Sequence, residues 1–182
     1  DLDEDGRADA AVAAPAASPL GRAGAGAAYL THSASVPSPS VVDVDTDAAL
    51  LFVYRGVAPG EGAGLRVIAS VGPSLLSFAT PSATAGGRAQ AGKVFVDTQP
   101  LSRRSGSAID LADGALSHTF LGAAAGDRLG ASVALGDLDG DRDPEIIFST
   151  LPVDLAGPVT LAERLADLSG VLDLALQQVY DE

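Results

Sequence analysis

Residues 137–145 carry five carboxylates at a spacing suited to binding a metal ion, in the order Asp-Leu-Asp-Gly-Asp-Arg-Asp-Pro-Glu. Carboxylates at the first, third and fifth positions of a tight loop, a backbone carbonyl at the seventh and a closing acid offer about six oxygens, which is the coordination that Ca²⁺ takes. Without a cation these charges would repel one another. Residues 1–9 repeat the construction as Asp-Leu-Asp-Glu-Asp-Gly-Arg-Ala-Asp. The sequence therefore predicts two calcium-binding loops.

The closing position distinguishes between families of calcium-binding loop. An EF-hand loop closes with a bidentate Glu at its twelfth position, where these loops have Val12 and Phe148. The ninth position is an acid in both loops, Asp9 and Glu145. We therefore reject the EF-hand interpretation. An intracellular calcium sensor, which would place helices beside each loop, is the least favoured class.

Short apolar segments flank the acidic loops. Residues 10–15 and 146–151 follow them, and Gly-Ala-Ser-Val-Ala-Leu-Gly-Asp at 130–137 leads into the second. This arrangement resembles the FG-GAP repeat of integrin alpha-subunit β-propellers and their bacterial relatives, in which a Gly-led strand runs into D-x-D-x-D-G-x-x-D. The resemblance implies bound Ca²⁺ and these ligands: Asp1, Asp3, Asp5, the Arg7 carbonyl, Asp9, Asp137, Asp139, Asp141, the Asp143 carbonyl and Glu145.

The two loops differ at one conformationally demanding position. The first loop has Gly6 in sixth place, where a residue without Cβ takes a positive φ at no cost. The second loop has Arg142 there, and its glycine, Gly140, is in fourth place. Because a left-handed Arg costs roughly 1 kcal/mol, we expect weaker binding at the second loop.

The composition predicts a folded domain with an acidic surface. Of 182 residues, 47% are hydrophobic and 19% are charged, which is a globular composition in a chain long enough for a sizeable core. The balance of 24 acidic to 11 basic residues gives a net charge of -13. That charge disfavours nucleic acid and anionic membrane surfaces as partners.

Cysteine content and targeting signals leave the cellular location open. The chain has no cysteine, which is compatible with a reducing or an oxidising compartment. It has no apolar run long enough for a transmembrane helix, and its first residues do not have the pattern of a signal peptide. It also has no methionine and begins inside a motif. We therefore expect it to be a piece of a longer protein.

An internal repeat organises the chain. The segment Gly-Arg-Ala-Gly-Ala-Gly-Ala-Ala-Tyr-Leu at 21–30 aligns with Gly-Arg-Ala-Gln-Ala-Gly-Lys-Val-Phe-Val at 87–96, an offset of 66 (87 − 21). The same offset relates Tyr54 to Phe120. In a third, shorter unit, residues 156–161 align with 91–96 at an offset of 65 (156 − 91), and Tyr180 takes the place of Phe120. Repeat units are predicted at about 1–64 (unit one), 65–130 (unit two) and 131–182 (unit three), within one domain over 1–182.

Each unit is predicted to form four short strands, with the inner strand of unit one missing. The predicted inner strands are 67–71 and 132–135, the second strands 10–14, 75–79 and 146–149, the third strands 27–31, 93–97 and 159–161, and the outer strands 50–54, 116–121 and 172–180. The segment 161–168 is equally compatible with the start of a helix. The second strands are small and apolar, which is typical of strands covered on both faces.

Four-stranded units at a fixed period predict an all-β fold, a partial β-propeller of about three four-stranded antiparallel blades. Closed propellers need about four to eight blades. We therefore expect a fragment of a larger propeller, whose remaining blades in the same chain are its first partners.

Other candidate sites are weaker. Asp-Val-Asp-Thr-Asp at 43–47 has no following glycine, so an exposed alternating segment is favoured there. The glycine-rich residues 21–26 precede a strand rather than a helix, which favours a turn over a phosphate loop. His32 and His118 have no paired His or Cys, and we expect them to be exposed, with a place on a propeller rim open for His118. No nucleophile or catalytic metal motif is present, so no enzyme activity is predicted.

Two functional classes remain open. The resemblance implies a calcium-stabilised propeller of an exported or cell-surface protein that binds a protein or glycan through its rim, as in adhesion. The alternative is a non-catalytic propeller attached to a secreted enzyme, a hydrolase or lyase, whose catalytic part lies outside this sequence.

Overall fold

The described part of the protein consists of short β-strands. The computed structural model describes residues 5–33, 36, 41–64, 66–70, 75–114, 116, 118–138, 140, 144–150, 159–162 and 170–173. Its strands are β1 (Ala10–Ala14), β2 (Ala27–Thr31), β3 (Phe52–Arg55), β4 (Arg66–Ser70), β5 (Leu75–Thr80), β6 (Lys93–Asp97), β7 (Ala108–Asp110), β8 (His118–Leu121), β9 (Ser132–Gly136), β10 (Glu145–Ser149), β11 (Val159–Ala162) and β12 (Gly170–Asp173). These residues form no α-helix, and none of their helical turns could cross a membrane.

Hydrogen bonds join the strands into three sheets. Sheet 1 has the order β1-β2-β3-β7, sheet 2 the order β4-β5-β6-β8-β12, and sheet 3 the order β9-β10-β11. In sheet 2 the strands β4, β5, β6 and β8 are antiparallel neighbours. Unit two therefore forms the four antiparallel strands that the sequence predicts. Units one and three each contribute three antiparallel strands within the described residues.

Two sheets gain a parallel strand that the sequence analysis did not predict. The strand β7 belongs to unit two but pairs with β3, the outer strand of unit one. The strand β12 belongs to unit three and pairs in the same way with β8 of unit two. The prediction of an outer strand for unit three at 172–180 was therefore wrong for residues 172 and 173. Residues 174–180 lie outside the described part.

Most other strand predictions are confirmed. The predicted strands 10–14, 27–31 and 93–97 coincide with β1, β2 and β6. The outer strands begin two residues later than expected, at Phe52 and His118. In unit one this is because Ala48–Leu50 forms a 3₁₀ turn. The open helical alternative at 161–168 is wrong for its first two residues, which lie in β11, and the rest is outside the described residues.

The sheets are stacked, with one hydrophobic core on each face of sheet 2. All six residues of β5 are buried. Leu76 and Phe78 belong to a cluster shared with β2 and β3 of sheet 1, whereas Leu75 and Ala79 belong to a cluster shared with β9 and β10 of sheet 3. Successive residues of a strand point to opposite faces, so a strand whose residues are all buried can serve both cores. This confirms that β5 is covered on both sides.

The repeat period is also preserved in the turns between strands. The amide of Gly56 donates to the carbonyl of Gly26 at 2.9 Å, and 66 residues later Gly122 donates to Gly92 at 3.0 Å. Gly26 and Gly92 have φ of 81° and 85°. A Cβ on Gly26 would lie 2.2 Å, and one on Gly92 2.4 Å, from a backbone nitrogen of the facing segment. Both positions therefore require glycine for the chain to pass this closely.

Candidate metal-binding loops

The second acidic loop closes a hairpin in sheet 3. The strand β9 ends at Gly136 and β10 begins at Glu145, and these two residues face each other across the antiparallel ladder. Asp137, the first loop residue, and Glu145, the closing acid, are therefore held at the same end of the sheet. This is the predicted position, between the inner and second strands of a unit.

The closing acid of this loop is buried. Glu145 is 3% exposed, and its Oε2 accepts a hydrogen bond from the amide of Leu138 at 2.5 Å. Among the described residues, no lysine or arginine forms an ion pair with it. Burying a charged carboxylate costs several kcal/mol unless it is paired. A cation bound in the loop would offset this cost.

The first part of the second loop is a tight turn. Asp137 is exposed, and its Oδ1 accepts a hydrogen bond from the amide of Gly140 at 2.8 Å. Gly140 has a φ of 82°. The glycine in fourth place thus takes a left-handed conformation, and the expectation of a left-handed Arg142 concerns a residue outside the described part.

The first loop is described from its fifth position onward. Gly6 has a φ of 85°, as its sixth place predicts. The amide of Arg7 donates to Asp5 Oδ1 at 2.8 Å. Asp5, Gly6 and Arg7 are all exposed, and the chain then enters β1 at Ala10. The turn geometry therefore matches a loop that presents oxygen atoms to solvent.

The closing acid of the first loop is buried as well. The Asp9 side chain is 0% exposed, and its Oδ2 lies 3.8 Å from His32 Nδ1. Its Oδ1 accepts a hydrogen bond from the amide of Ser33 at 2.9 Å. His32 and Ser33 directly follow β2. Asp9 therefore fixes the end of the loop to the third strand of its own unit.

The two loops thus share one arrangement, a buried closing acid held by a backbone amide and exposed acids earlier in the loop. The predicted ligands Asp1, Asp3, Asp139, Asp141 and Asp143 lie outside the described residues. Within the described part, no three acids or histidines come together as a metal site. The five predicted ligands that can be placed lie in two separate loops, Asp5, Arg7 and Asp9 in the first and Asp137 and Glu145 in the second.

Comparison with known families bears on the first of these loops. Residues 1–31 match the family model of the FG-GAP repeat. The FG-GAP match covers the first loop, β1 and β2, which are the acidic loop, second strand and third strand of unit one. A comparison with curated proteins found no match to this chain. The all-β architecture of stacked sheets is consistent with FG-GAP repeats.

The acidic segment at 43–47 forms a turn of its own. The amide of Asp47 donates to the carbonyl of Asp43 at 2.8 Å, and the amide of Asp45 donates to Asp43 Oδ1 at 2.9 Å. Residues 43–46 are exposed. Exposure was predicted correctly, but the segment turns instead of running as an extended strand.

Both histidines are buried, so the prediction that they are exposed was wrong. His32 is 8% and His118 is 5% exposed. His32 Nε2 lies 3.2 Å from the carbonyl oxygen of Arg103. Burial lowers the pKa of His118, because removal from water disfavours the charged imidazolium.

Sequence reasoning missed a buried ionic cluster around Asp97, which is 0% exposed. Asp97 accepts hydrogen bonds from Tyr54 Oη at 2.7 Å and from Arg103 Nε at 2.7 Å and Nη2 at 2.9 Å. A signal for it exists in the repeat: Tyr54 aligns with Phe120, and Asp97 aligns with Ala162. The hydroxyl of Tyr54 and the carboxylate of Asp97 therefore occur together between units one and two. Both are absent from the aligned pair, Phe120 and Ala162, between units two and three.

Proposed function

We propose that the chain is a calcium-stabilised FG-GAP β-propeller module that acts as a non-catalytic binding scaffold in an exported or cell-surface protein. The observation that carries the calcium part is the burial of both closing acids, Asp9 and Glu145. The match of residues 1–31 to the FG-GAP repeat supports the module type. FG-GAP repeats are typical of extracellular proteins, which supports the location.

The donor atoms of both loops suit a hard cation. Asp1, Asp3, Asp5, the Arg7 carbonyl and Asp9 would hold Ca²⁺ in the first loop. The second ion would be held by Asp137, Asp139, Asp141, the Asp143 carbonyl and Glu145. All of these donors are oxygen atoms, and Ca²⁺ binds six to eight oxygens in flexible geometry. The left-handed glycines Gly6 and Gly140 let each loop turn tightly.

The role that we assign to the ion is structural. Each loop leads directly into a strand, β1 or β10. The strands β2 and β9, which pair with these two, contribute to the hydrophobic cores on the faces of sheet 2. A cation would replace repulsion between the loop acids with coordination, and its binding free energy would add to the free energy of unfolding. The ion would thereby hold in place the loop that connects the inner and second strands of a blade.

The stacking of the sheets supports a propeller. Sheet 2 is covered on both faces, whereas in β1 of sheet 1 the side chain of Val12 is 50% exposed. A propeller blade buries both faces against its neighbours. Further blades beside sheet 1 would cover this strand and leave the loops at the rim to bind a protein or a glycan.

Thermal unfolding with and without calcium tests this proposal. At about 1 mM Ca²⁺, a site with a Kd of about 10⁻⁴ M adds about 1.4 kcal/mol to the free energy of unfolding. For a chain of this size that raises Tm by roughly 3–6 °C per site. Asp137→Asn should remove the part of the Tm increase that comes from the second loop. The matched control Asp45→Asn should leave the full increase in Tm unchanged. The same Tm in calcium and in chelator would refute the calcium role.

A further inference from the structure

Two strands of the structure cross from one repeat unit to the preceding one, and we call them crossing strands. In both cases the register is the same: Ile109 of β7 faces Tyr54, and Leu172 of β12 faces Phe120. Tyr54 and Phe120 are 66 residues apart and occupy the same place in their units. Crossing is therefore a repeated feature of this architecture, and it joins each outer strand to the next unit.

The sequence of the crossing strand recurs in all three units. It reads Ala-Ile-Asp at 108–110, Val-Leu-Asp at 171–173 and Val-Val-Asp at 41–43. The first two copies are paired in sheets 1 and 2. Each copy is two apolar residues followed by Asp, and another apolar residue comes next.

The third copy, at 41–43, has the same local structure but pairs with no strand among the described residues. Asp110 Oδ1 accepts a hydrogen bond from the amide two residues later at 3.0 Å, and Asp43 Oδ1 does the same at 2.9 Å. Val41 is 93% exposed, whereas its counterpart in the paired copy, Ala108, is half-buried. An apolar side chain so exposed, in the copy whose counterpart is partly covered within a sheet, indicates a surface that is normally covered.

An arginine accompanies the crossing strand. Arg22 Nη1 donates to the carbonyl of Gly56 at 2.6 Å and to Asp110 Oδ1 at 2.8 Å, and its Nη2 bonds the second oxygen of Asp110. In unit two, Arg88 Nε donates to the carbonyl of Gly122 at 3.0 Å. The guanidinium group therefore lies beside the outer strand in both units, where it can receive the Asp of a crossing strand.

From these observations we propose that residues 41–43 form a crossing strand that pairs with the outer strand of a preceding FG-GAP-type unit of the same polypeptide, where Asp43 binds an arginine of a Gly-Arg turn. The parallel pairing would cover Val41. Unit three of a second copy is a poorer partner, because the third unit has no arginine at the place of Arg22 and Arg88. This inference depends on the repeat architecture of the proposed function and not on calcium.

A fusion protein supplies the missing partner. In this fusion, residues 65–136 are placed directly before Asp1 of the full chain. They add a unit that contains Arg88 and β8. Their copy of β9 then leads into the first acidic loop, as β9 itself leads into the second. The probe is hydrogen exchange of the peptide that contains residues 41–43, which occurs once in this protein. We expect exchange about tenfold slower than in the chain without the added unit.

Variants of the fusion identify the contact. Asp43→Asn keeps the local turn but removes the charge, and Arg88→Leu in the added unit removes its partner. Each should restore most of the fast exchange, whereas Asp45→Asn should not. Equal exchange with and without the added unit would overturn the proposal. The hydrogen exchange should also be measured in chelator. This measurement distinguishes a failure of the strand pairing from a failure of the calcium proposal.

A second measurement on the unextended chain decides the matter if the fusion does not fold. Ala108→Val with Ile109→Val gives β7 the Val-Val-Asp sequence of residues 41–43. If the two segments are equivalent, this double variant changes Tm by no more than about 2 °C. Asp110→Asn should lower Tm by more than the double variant does. A loss of Tm with Val-Val-Asp as large as that with Asp110→Asn would contradict the proposal.

Discussion

Tyr54 donates its hydroxyl hydrogen to Asp97 Oδ2 at 2.7 Å, which joins β3 of sheet 1 to β6 of sheet 2. The bond lies in a core region, because Tyr54 and Asp97 are both 0% exposed. Arg103 pairs with the same carboxylate and lies over the Phe52 ring at 5.7 Å. The first two sheets are therefore joined by a largely buried charge network as well as by apolar packing.

Removal of the hydroxyl should weaken this junction. Tyr54→Phe gives unit one the residue that unit two has at Phe120, and it leaves the Asp97 carboxylate with one donor fewer. We expect the free energy of unfolding to fall by about 1.5 kcal/mol, measured by urea denaturation. Tyr29→Phe is the matched control, since the Tyr29 hydroxyl has no hydrogen bond to the described residues. An equal loss in both variants would show that the Asp97 contact contributes nothing specific.

Two residues in left-handed conformations offer sites for stabilisation. Gln90 and Arg128 have φ of 54° and 53°, whereas the positions 66 residues earlier are Gly24 and Gly62. A residue with a Cβ pays roughly 1 kcal/mol in this region. Gln90→Gly should therefore raise the free energy of unfolding by up to about 1 kcal/mol, and the reverse change Gly24→Gln should lower it. If denaturant unfolding showed that Gln90→Gly lowers the free energy of unfolding and Gly24→Gln raises it, the left-handed conformation would be excluded as the cause.

The close backbone approach at Gly26 should not tolerate a side chain. A Cβ there would lie 2.2 Å from a backbone nitrogen, so Gly26→Ala must displace the facing segment and should cost more than about 3 kcal/mol. Gly87 also has a positive φ, 79°, but has nothing within 4 Å of the added Cβ. Gly87→Ala should therefore cost only about 1 kcal/mol. Similar losses of Tm in the two variants would argue against the close approach.

Burial of His118 makes the stability depend on pH. Because its folded pKa lies below its ordinary value, the unfolded chain takes up a proton first as the pH falls below about 6.5. Stability contributed by the neutral imidazole is therefore full above that pH and decreases by up to about 1.4 kcal/mol per pH unit below it. His118→Gln should remove this decrease. If the difference in free energy of unfolding between wild type and variant stays constant from about pH 7.5 to about pH 5.5, His118 is not its source.

Much of the sheet order follows from the sequence, because apolar strands between Gly-rich turns recur at a fixed period. The strands β1, β2 and β6 were predicted to the residue for that reason. The crossing strands were not predicted, since three residues such as those of β7 carry no periodicity and parallel edge pairing depends on a distant unit. Residues 172 and 173 were assigned to the wrong sheet on the same account.

The loops were predicted from the spacing of their acids, but the roles within them were not. Spacing treats Asp5, Asp9, Asp137 and Glu145 alike. In the structure the two closing acids are buried against backbone amides, whereas Asp5 and Asp137 face solvent. This difference arises from strand pairing beyond the loop, which places the amide of Ser33 next to Asp9. A motif alone does not contain that information.

The number of calcium ions bound per chain tests the central claim most directly. Isothermal titration with CaCl₂ up to about 1 mM should detect two ions in the wild-type chain, one in Asp137→Asn and none in the double variant Asp5→Asn with Asp137→Asn. Asp45→Asn should still bind two. No binding to the folded wild-type chain, or binding that the loop substitutions leave unchanged, would contradict the account.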